Sequence, residues 1–348
     1  MLAALLAPNS PFDRPHLIHT ILTQPLHLLI RLTSHFLTIL RPLPPTTRQQ
    51  ARKIRIVCIS DTHSLDPGPI PPGDILIHAG DITAHGTPAE LQTAIDHLST
   101  LPHPHKFIIA GNHDTYLDPN SRQTLSEEDQ NPPNPPDWKT LTYLQHSSAT
   151  ITIPLSPSPS PSSPSQTQTR TLTLHGSPQT PLPNPTFAFT HARTLDAWTS
   201  TLPPQTDILI THTPPSTHLD LPHSMGDAHL LSEVARIKPS LHVFGHIHAG
   251  RSDFEGWLCG GRTRVVWDSG EKARRRGLGR RARGFVWDLM NLGLWGDLGL
   301  VVFYGVRAVV WERVWGGRLG GESTVFVNAA MMFEGTGRLG NGVQVIDV

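Results

Sequence analysis

The chain has 348 residues, and its 28 Lys plus Arg balance 28 Asp plus Glu to a formal net charge of zero. That balance argues against general nucleic-acid binding, which draws on a basic surplus. Hydrophobic residues make up 37% and charged residues 16%, and 34 Pro with 28 Gly take up the difference, so long loops are expected around one large domain or two small ones.

Residues 1–50 read as a segment apart from 51–348, which is expected to form the main domain. Between Pro25 and Pro42, residues 26–40 place Leu29, Leu32, Phe36, Leu37 and Leu40 on one helical face, with Arg31, Ser34, His35 and Thr38 opposite. Arg31 and His35 interrupt the apolar run and no small-residue cleavage site follows, so it is not read as a secretory signal. It also falls short of the roughly 20 apolar residues that span a bilayer. Two readings fit: a helix lying on a membrane surface, and a helix packed on the domain.

Residues 54–60, 74–79 and 106–110 are short β-rich runs, and 88–98 has helical periodicity through Leu91, Ile95 and Leu98. This order predicts a parallel strand–helix–strand unit. Cys58 lies in the first run and reads as a small core residue; with Cys259 it cannot build a disulfide framework, which suits a reducing, intracellular and cytoplasmic setting. Residues 118–137 read as a loop. Strands are expected at 149–153 and 170–174, and the Ser/Pro tract 154–169 between them is low in complexity. A strand at 207–210, a helix at 228–237, and strands at 241–244 and 324–328 complete the pattern. Of the 21 histidines, His103, His105, His218 and His223 lie in Pro-rich stretches and are expected at the surface.

Residues 250–322 change character. They hold six of the eight tryptophans, a run at 272–283 with basic and no acidic residues, and an apolar stretch at 286–311 broken by Asp288, Asp297 and Arg307. A spanning helix avoids such charges. A basic cluster beside a Trp-rich apolar stretch suits contact with an anionic membrane surface, and a helical insertion packed on the core is the other reading.

Five motifs carry the chemistry: Asp61-Thr62-His63, Gly80-Asp81, Gly111-Asn112-His113-Asp114, Thr211-His212, and Gly245-His246-Ile247-His248. Four of them directly follow an apolar run, at the strand ends where open α/β sheets place their sites. An extended Asp61-x-His63 would project both side chains to one side, and His246-x-His248 likewise. Asp81, isolated after a strand, is the best candidate to bridge two cations, because a carboxylate offers two oxygens. Asn112 adds a neutral amide oxygen. His113 then points toward substrate as a candidate general acid, with Asp114 expected to hydrogen-bond its ring. Singly these motifs are common, Gly-Asn-His-Asp excepted; all five in order describe a metal site.

The set resembles the calcineurin-like metallophosphoesterase superfamily over residues 54–248 and again at 324–346. Within it, Tyr143-Leu144-Gln145, Gly176-Ser177-Pro178, and stretches 207–215 and 241–250 are similar to metallophosphoesterase-domain-containing proteins of vertebrate brain and to their fungal relatives, which also carry an insertion after Gly-His-x-His. Gln179 departs from the Trp of the vertebrate proteins. The resemblance implies an α/β fold of four layers: two mixed β-sheets packed together, flanked by helices. It implies one metal on Asp61, His63, Asp81 and His248, and a second on Asp81, Asn112, His212 and His246, both divalent and drawn from Mn, Fe, Zn or Ni. The implied activity is hydrolysis of a phosphate ester, a phosphodiester or nucleotide in particular, by attack of a metal-bridging hydroxide with His113 protonating the leaving oxygen. The alternative is a membrane-surface adaptor with a structural or vestigial metal site.

Overall fold

The computed structural model describes residues 6–10, 12–42, 52–155, 168–182, 184, 186–315 and 322–348. Two helices come first, α1 (Leu17–Thr23) and α2 (Pro25–Leu40). Then β1 (Arg55–Ile59), β2 (Ile75–Ala79), α3 (Pro88–Thr100), β3 (His105–Ile109), a short α4 (Glu127–Gln130) and β4 (Thr142–Tyr143) follow. Strands β1 to β4 run parallel, and β11 (Gln344–Asp347) joins the edge antiparallel to β1. Helix α3 starts where Thr87 and Glu90 form a capping box with Pro88 in the first turn, and stops at Leu101 before Pro102.

The second sheet has the order β5-β6-β7-β8-β10-β9, built from β5 (Ser147–Leu155), β6 (Gln168–Ser177), β7 (Ile208–Thr211), β8 (Leu241–Phe244), β9 (Arg262–Val266) and β10 (Ser323–Asn328). Helix α5 (Ala228–Ile237) packs outside it, and α6 (Ala249–Ser252), α7 (Phe254–Cys259), α8 (Ser269–Leu278), α9 (Phe285–Met290) and α10 (Leu292–Val314) come from the insertion.

The period of two in each strand sorts side chains into layers. Ile56 and Cys58 of β1 meet Ile208, Ile210 and Val243 between the sheets, whereas Val57 and Ile59 face Leu91 and Ile95 of α3. On the other side Leu209 and Phe244 face Leu230 and Val234 of α5. Both faces of the central strands are covered, which is why they read as continuous apolar runs. The result is the four-layer α/β arrangement of two mixed sheets flanked by helices.

Several expectations change. The region 118–137 contains short helical turns at Ser121–Thr124 and Glu127–Gln130. Strands β5 and β6 reach into the Ser/Pro tract, pairing Pro154 with Thr169 and Leu155 with Gln168; the rest of the tract, 156–167, lies outside the described residues. The insertion holds an unforeseen strand, β9, which pairs antiparallel with β10. His103 and His218 are buried, His103 on the Pro71 carbonyl and His218 on Glu271, because each finds a polar partner inside.

The N-terminal segment packs on the insertion. Leu26 and Ile30 of α2 join Ala273, Leu278, Leu298 and Val301 in one buried cluster. The helix is turned away from the simple amphipathic reading: Leu26, Ile30 and Leu37 are buried together with His27 and Arg31, while Leu29 and Phe36 of the expected apolar face are exposed. The two polar side chains are taken inward because partners wait there. Asp288 accepts from the Leu26 amide and from His27, so it caps the start of α2. Arg31 meets Glu255 of α7 and the carbonyls of Thr217 and Leu221. The other acid of the apolar stretch, Asp297, is also buried, against Arg276 and Arg280.

Candidate metal centre

Five strand ends converge on one point. Asp61 follows β1, Asp81 follows β2, Asn112 follows β3, His212 follows β7, and His246 and His248 follow β8. The ligand atoms of Asp61, His63, Asp81 and His248 lie within 4.8 Å of one another, and so do those of Asp81, His212 and His246. Asp81 belongs to both groups. Asn112 joins the second, with its Oδ1 3.1 Å from His212 Nε2.

The backbone is bent to make this convergence. Asp61, His63, Asp81 and His246 all have positive φ, of 56°, 45°, 51° and 64°. Such strain gathers at functional sites, and Asp and His tolerate it better than β-branched residues. Asp61 and His63 are therefore not extended, as alternation along a strand suggested; the strand has already ended and a left-handed turn brings them together. Two glycines permit the close approach. A Cβ on Gly80, itself at φ 95°, would lie 2.6 Å from His212 Nδ1, and one on Gly245 would lie 2.1 Å from Asp61 Oδ2.

Outer partners set the imidazoles. His212 Nδ1 donates to the Ala79 carbonyl at 2.9 Å and His248 Nδ1 to the Glu334 carbonyl at 2.9 Å, which directs each Nε2 inward. Burial opposes the Asp61 charge, but the bonded His248 holds that carboxyl down at about 2. Asp81 is likewise held well below the ordinary range, His212 outweighing burial. Conversely Asp81 outweighs burial at His212 and raises it to about 9, while His246, buried and facing His212, is pushed down to about 3. His63 Nε2 is buried with no hydrogen-bond partner. Two ionised carboxylates, an amide oxygen and four imidazoles, among them His63 with its orphaned Nε2, form a donor set that fits divalent transition-metal ions.

His113 stands at the edge of this cluster, its ring 4.7 Å from that of His63 and its backbone N–H on Asp81 Oδ1. Asp114 does not hydrogen-bond the His113 ring, contrary to expectation. Its carboxylate turns inward to accept from the amides of Gly111, Ile82 and Thr83 and from the Thr83 hydroxyl, while His113 Nδ1 meets the Ala84 carbonyl. The two adjacent side chains face opposite ways, so Asp114 ties down the backbone while the ring of His113 stays at the edge of the cluster. Burial, and then Asp81, raise Asp114 to about 6.

Two aromatic neighbours escaped the sequence reading. Phe187 leans on the His113 ring at 5.1 Å, and Phe12 meets the His246 ring edge-on at 6.0 Å. Arg14, two residues on, pairs with Glu334, whose carbonyl orients His248. Nothing local in the sequence marks either phenylalanine; both arrive from segments distant in the chain.

Residues 54–250 match the calcineurin-like phosphoesterase family. The chain belongs to that family. Among its relatives, a "Probable rhamnogalacturonate lyase C" of Emericella nidulans is 35% identical over 80% of this chain but only 23% of its own length. A UPF0046 protein of Caenorhabditis elegans is 33% identical over 61% of this chain and 68% of its own. Metallophosphoesterase domain-containing protein 1 of Homo sapiens is 35% identical over 60% of this chain and 65% of its own. The family is one of phosphoesterases, and the His/Asp cluster of this chain could hold a metal ion; the chain spans under a quarter of the length of the first of these relatives and about two thirds of the others.

Proposed function

We propose that this chain is a binuclear metal-dependent phosphodiesterase. The observation that carries the reading is Asp81, common to two ligand groups. Asp61, His63, Asp81 and His248 would hold one ion and Asp81, Asn112, His212 and His246 the other; Mn, Fe, Zn and Ni all suit this mixture of donors. Such ions, when bound, supply neutralisation of phosphoryl charge and a nucleophile drawn from water at neutral pH.

The chain's own residues do the rest. His113 is the group that returns a proton to the leaving oxygen: its Nδ1 is fixed on the Ala84 carbonyl, which leaves Nε2 to meet substrate. Asp114 acts as a positioning residue, holding the Gly111 and Thr83 backbones so that the two ligand loops keep their spacing. Phe187 and Phe12 border the cluster beside His113 and His246 and favour a substrate with a flat group, a nucleotide or cyclic nucleotide among phosphodiesters. Residues 51–348 would form one phosphoesterase domain carrying the insertion 250–322, with 1–50 as its N-terminal segment, in an intracellular, cytoplasmic setting.

The test is a metal-reconstituted screen of phosphomonoesters, linear diesters and cyclic nucleotides. Metal-loaded wild type is expected to favour diesters, and Asp81→Ala to lose both metal equivalents and activity. Diester hydrolysis retained in purified Asp81→Ala would sink the proposal. A second reading, a membrane-surface adaptor with a structural metal site, is supported by the exposed apolar helices α2 and α10; the free His113 beside the cluster favours the enzyme.

A further inference from the structure

The N-terminal helices and the insertion form one layer whose inner and outer sides differ in kind. The inner side is closed by Leu26, Ile30, Leu298 and Val301. On the outer side Phe36 and Ile39 of α2 are 62% and 64% exposed, and Phe303 and Val306 of α10 are 59% and 45% exposed. The two helices pack on each other where Leu37 seats on Gly305, an added Cβ there lying 2.5 Å from the Leu37 side chain. Trp287, Trp295, Trp311 and Trp315 are exposed along the same insertion. Soluble monomers rarely leave so many large apolar side chains uncovered on one pair of packed helices.

The charges of the layer are sorted as strictly as its apolar groups. Residues 17–40 contain no acidic residue. In α8 to α10, Glu271, Asp288 and Asp297 are buried, and Glu312 is taken by Arg41. The exposed charges are cations: Lys272, Arg281, Arg283 and Arg307 are exposed and make no ion pair among the described residues.

We propose that α1, α2, α9 and α10 form a docking face that lies in the interface of an anionic membrane, the aromatic and aliphatic side chains entering the headgroup–acyl boundary and the arginines meeting lipid phosphates and carboxylates. A second copy of the chain is the less favourable occupant, because two such faces would bring like charges together with no exposed acid to compensate. By length and composition Leu292–Val314 could cross a bilayer. It lies flat instead: one side is packed on α2 and α8, and the strands at the two ends of the insertion, β9 and β10, pair with each other. The inference stands apart from the catalytic reading, since vesicle binding and hydrolysis are separate readouts.

The experiment is sedimentation of the full chain with vesicles of phosphatidylcholine alone and of phosphatidylcholine with phosphatidylserine, at low and high salt, with light scattering of the lipid-free protein. Wild type is expected to bind the phosphatidylserine vesicles and to be released by salt. A triple variant, Trp287→Ser, Phe303→Ser and Trp311→Ser, should lose about tenfold or more in partitioning, because each aromatic buries a large apolar area. Arg281→Glu with Arg283→Glu should remove the preference for phosphatidylserine. Thermal unfolding like wild type shows that the variants fold. Equal binding to both vesicle types, undiminished binding of the triple variant, or a lipid-free dimer that the triple variant splits and that binds no vesicle would each overturn the proposal.

Discussion

Asp81 offers an oxygen to each side of the site: Oδ1 accepts from the His113 amide at 2.8 Å, and Oδ2 lies 3.3 Å from His212 and 3.6 Å from His63. One carboxylate therefore links both ligand groups to the loop that carries His113, the proposed acid. The His113 ring rests edge-on against His63 and on the Ala84 carbonyl, whereas Asp114 beside it is spent on backbone amides and the Thr83 hydroxyl. His113→Asn is expected to lower kcat by ~10²–10⁴ on diesters with alkyl leaving groups, the usual range for loss of a general acid. The loss should be far smaller on p-nitrophenyl diesters, whose leaving group departs without a proton. Steady-state kinetics on the two substrate types checks this; an equal loss on both would assign His113 to metal positioning.

Among the elements, α2 has the least expected orientation. Helical periodicity grouped Leu29, Leu32, Phe36, Leu37 and Leu40, but the side that turns inward carries Leu26, Ile30 and Leu37 with His27 and Arg31, since it depends on Asp288, Glu255 and the Thr217 carbonyl, supplied by residues some two hundred positions away. Glu255 also meets Arg274 at 3.3 Å, so removing Arg31 weakens a buried network without stripping Glu255 of every cation. Arg31→Ala should cost about 1.5–3 kcal/mol, the range for lost hydrogen bonds to a charged group, while Leu29→Ala, on the exposed side of the same helix, should stay within about 0.5 kcal/mol. Urea unfolding of the two variants decides it; similar small losses in both would mean that α2 is not anchored through Arg31.

Over the whole molecule, burial keeps an unusual number of imidazoles neutral. Burial first of all lowers His78, His175 and His218 to about 4, and His242 and His246 to about 3. The unfolded chain takes up protons near 6.5 that these folded groups refuse, so their stabilisation is present above that pH and is lost as pH falls toward 4. Asp114, Asp220 and Asp253, raised first of all by burial to about 6, about 6 and about 7, have the opposite sign: their contribution is present below about 4 and lost as pH rises through those values, and that of His212, raised to about 9, is present below 6.5 and lost as pH rises toward 9. The lowered histidines, which also include His35, His63, His103 and His146, outnumber these groups, so the metal-free protein is expected to be less stable at pH 5 than at pH 7. His242→Gln, which can keep the bond to Thr211, should shrink the difference. Urea midpoints at the two pH values measure it, and an unchanged difference in the variant would clear His242 of responsibility.

Much of the architecture at this scale was legible in the sequence. The apolar runs gave β1, β2, β3, β7 and β8, helix α5 and β8 fell on their expected bounds, and the polar residues just past those strands are the ones brought together. Strand periodicity and metal-ligand chemistry are local properties, written residue by residue. What needed tertiary structure was the side each element faces. The left-handed turn at Asp61 and His63, the inward carboxylate of Asp114, the buried His103 and His218, and the buried Arg31 of α2 all depend on a partner distant in sequence. A polar side chain is buried only where its hydrogen bonds are met, and where they are met is decided by packing, not by its neighbours along the chain.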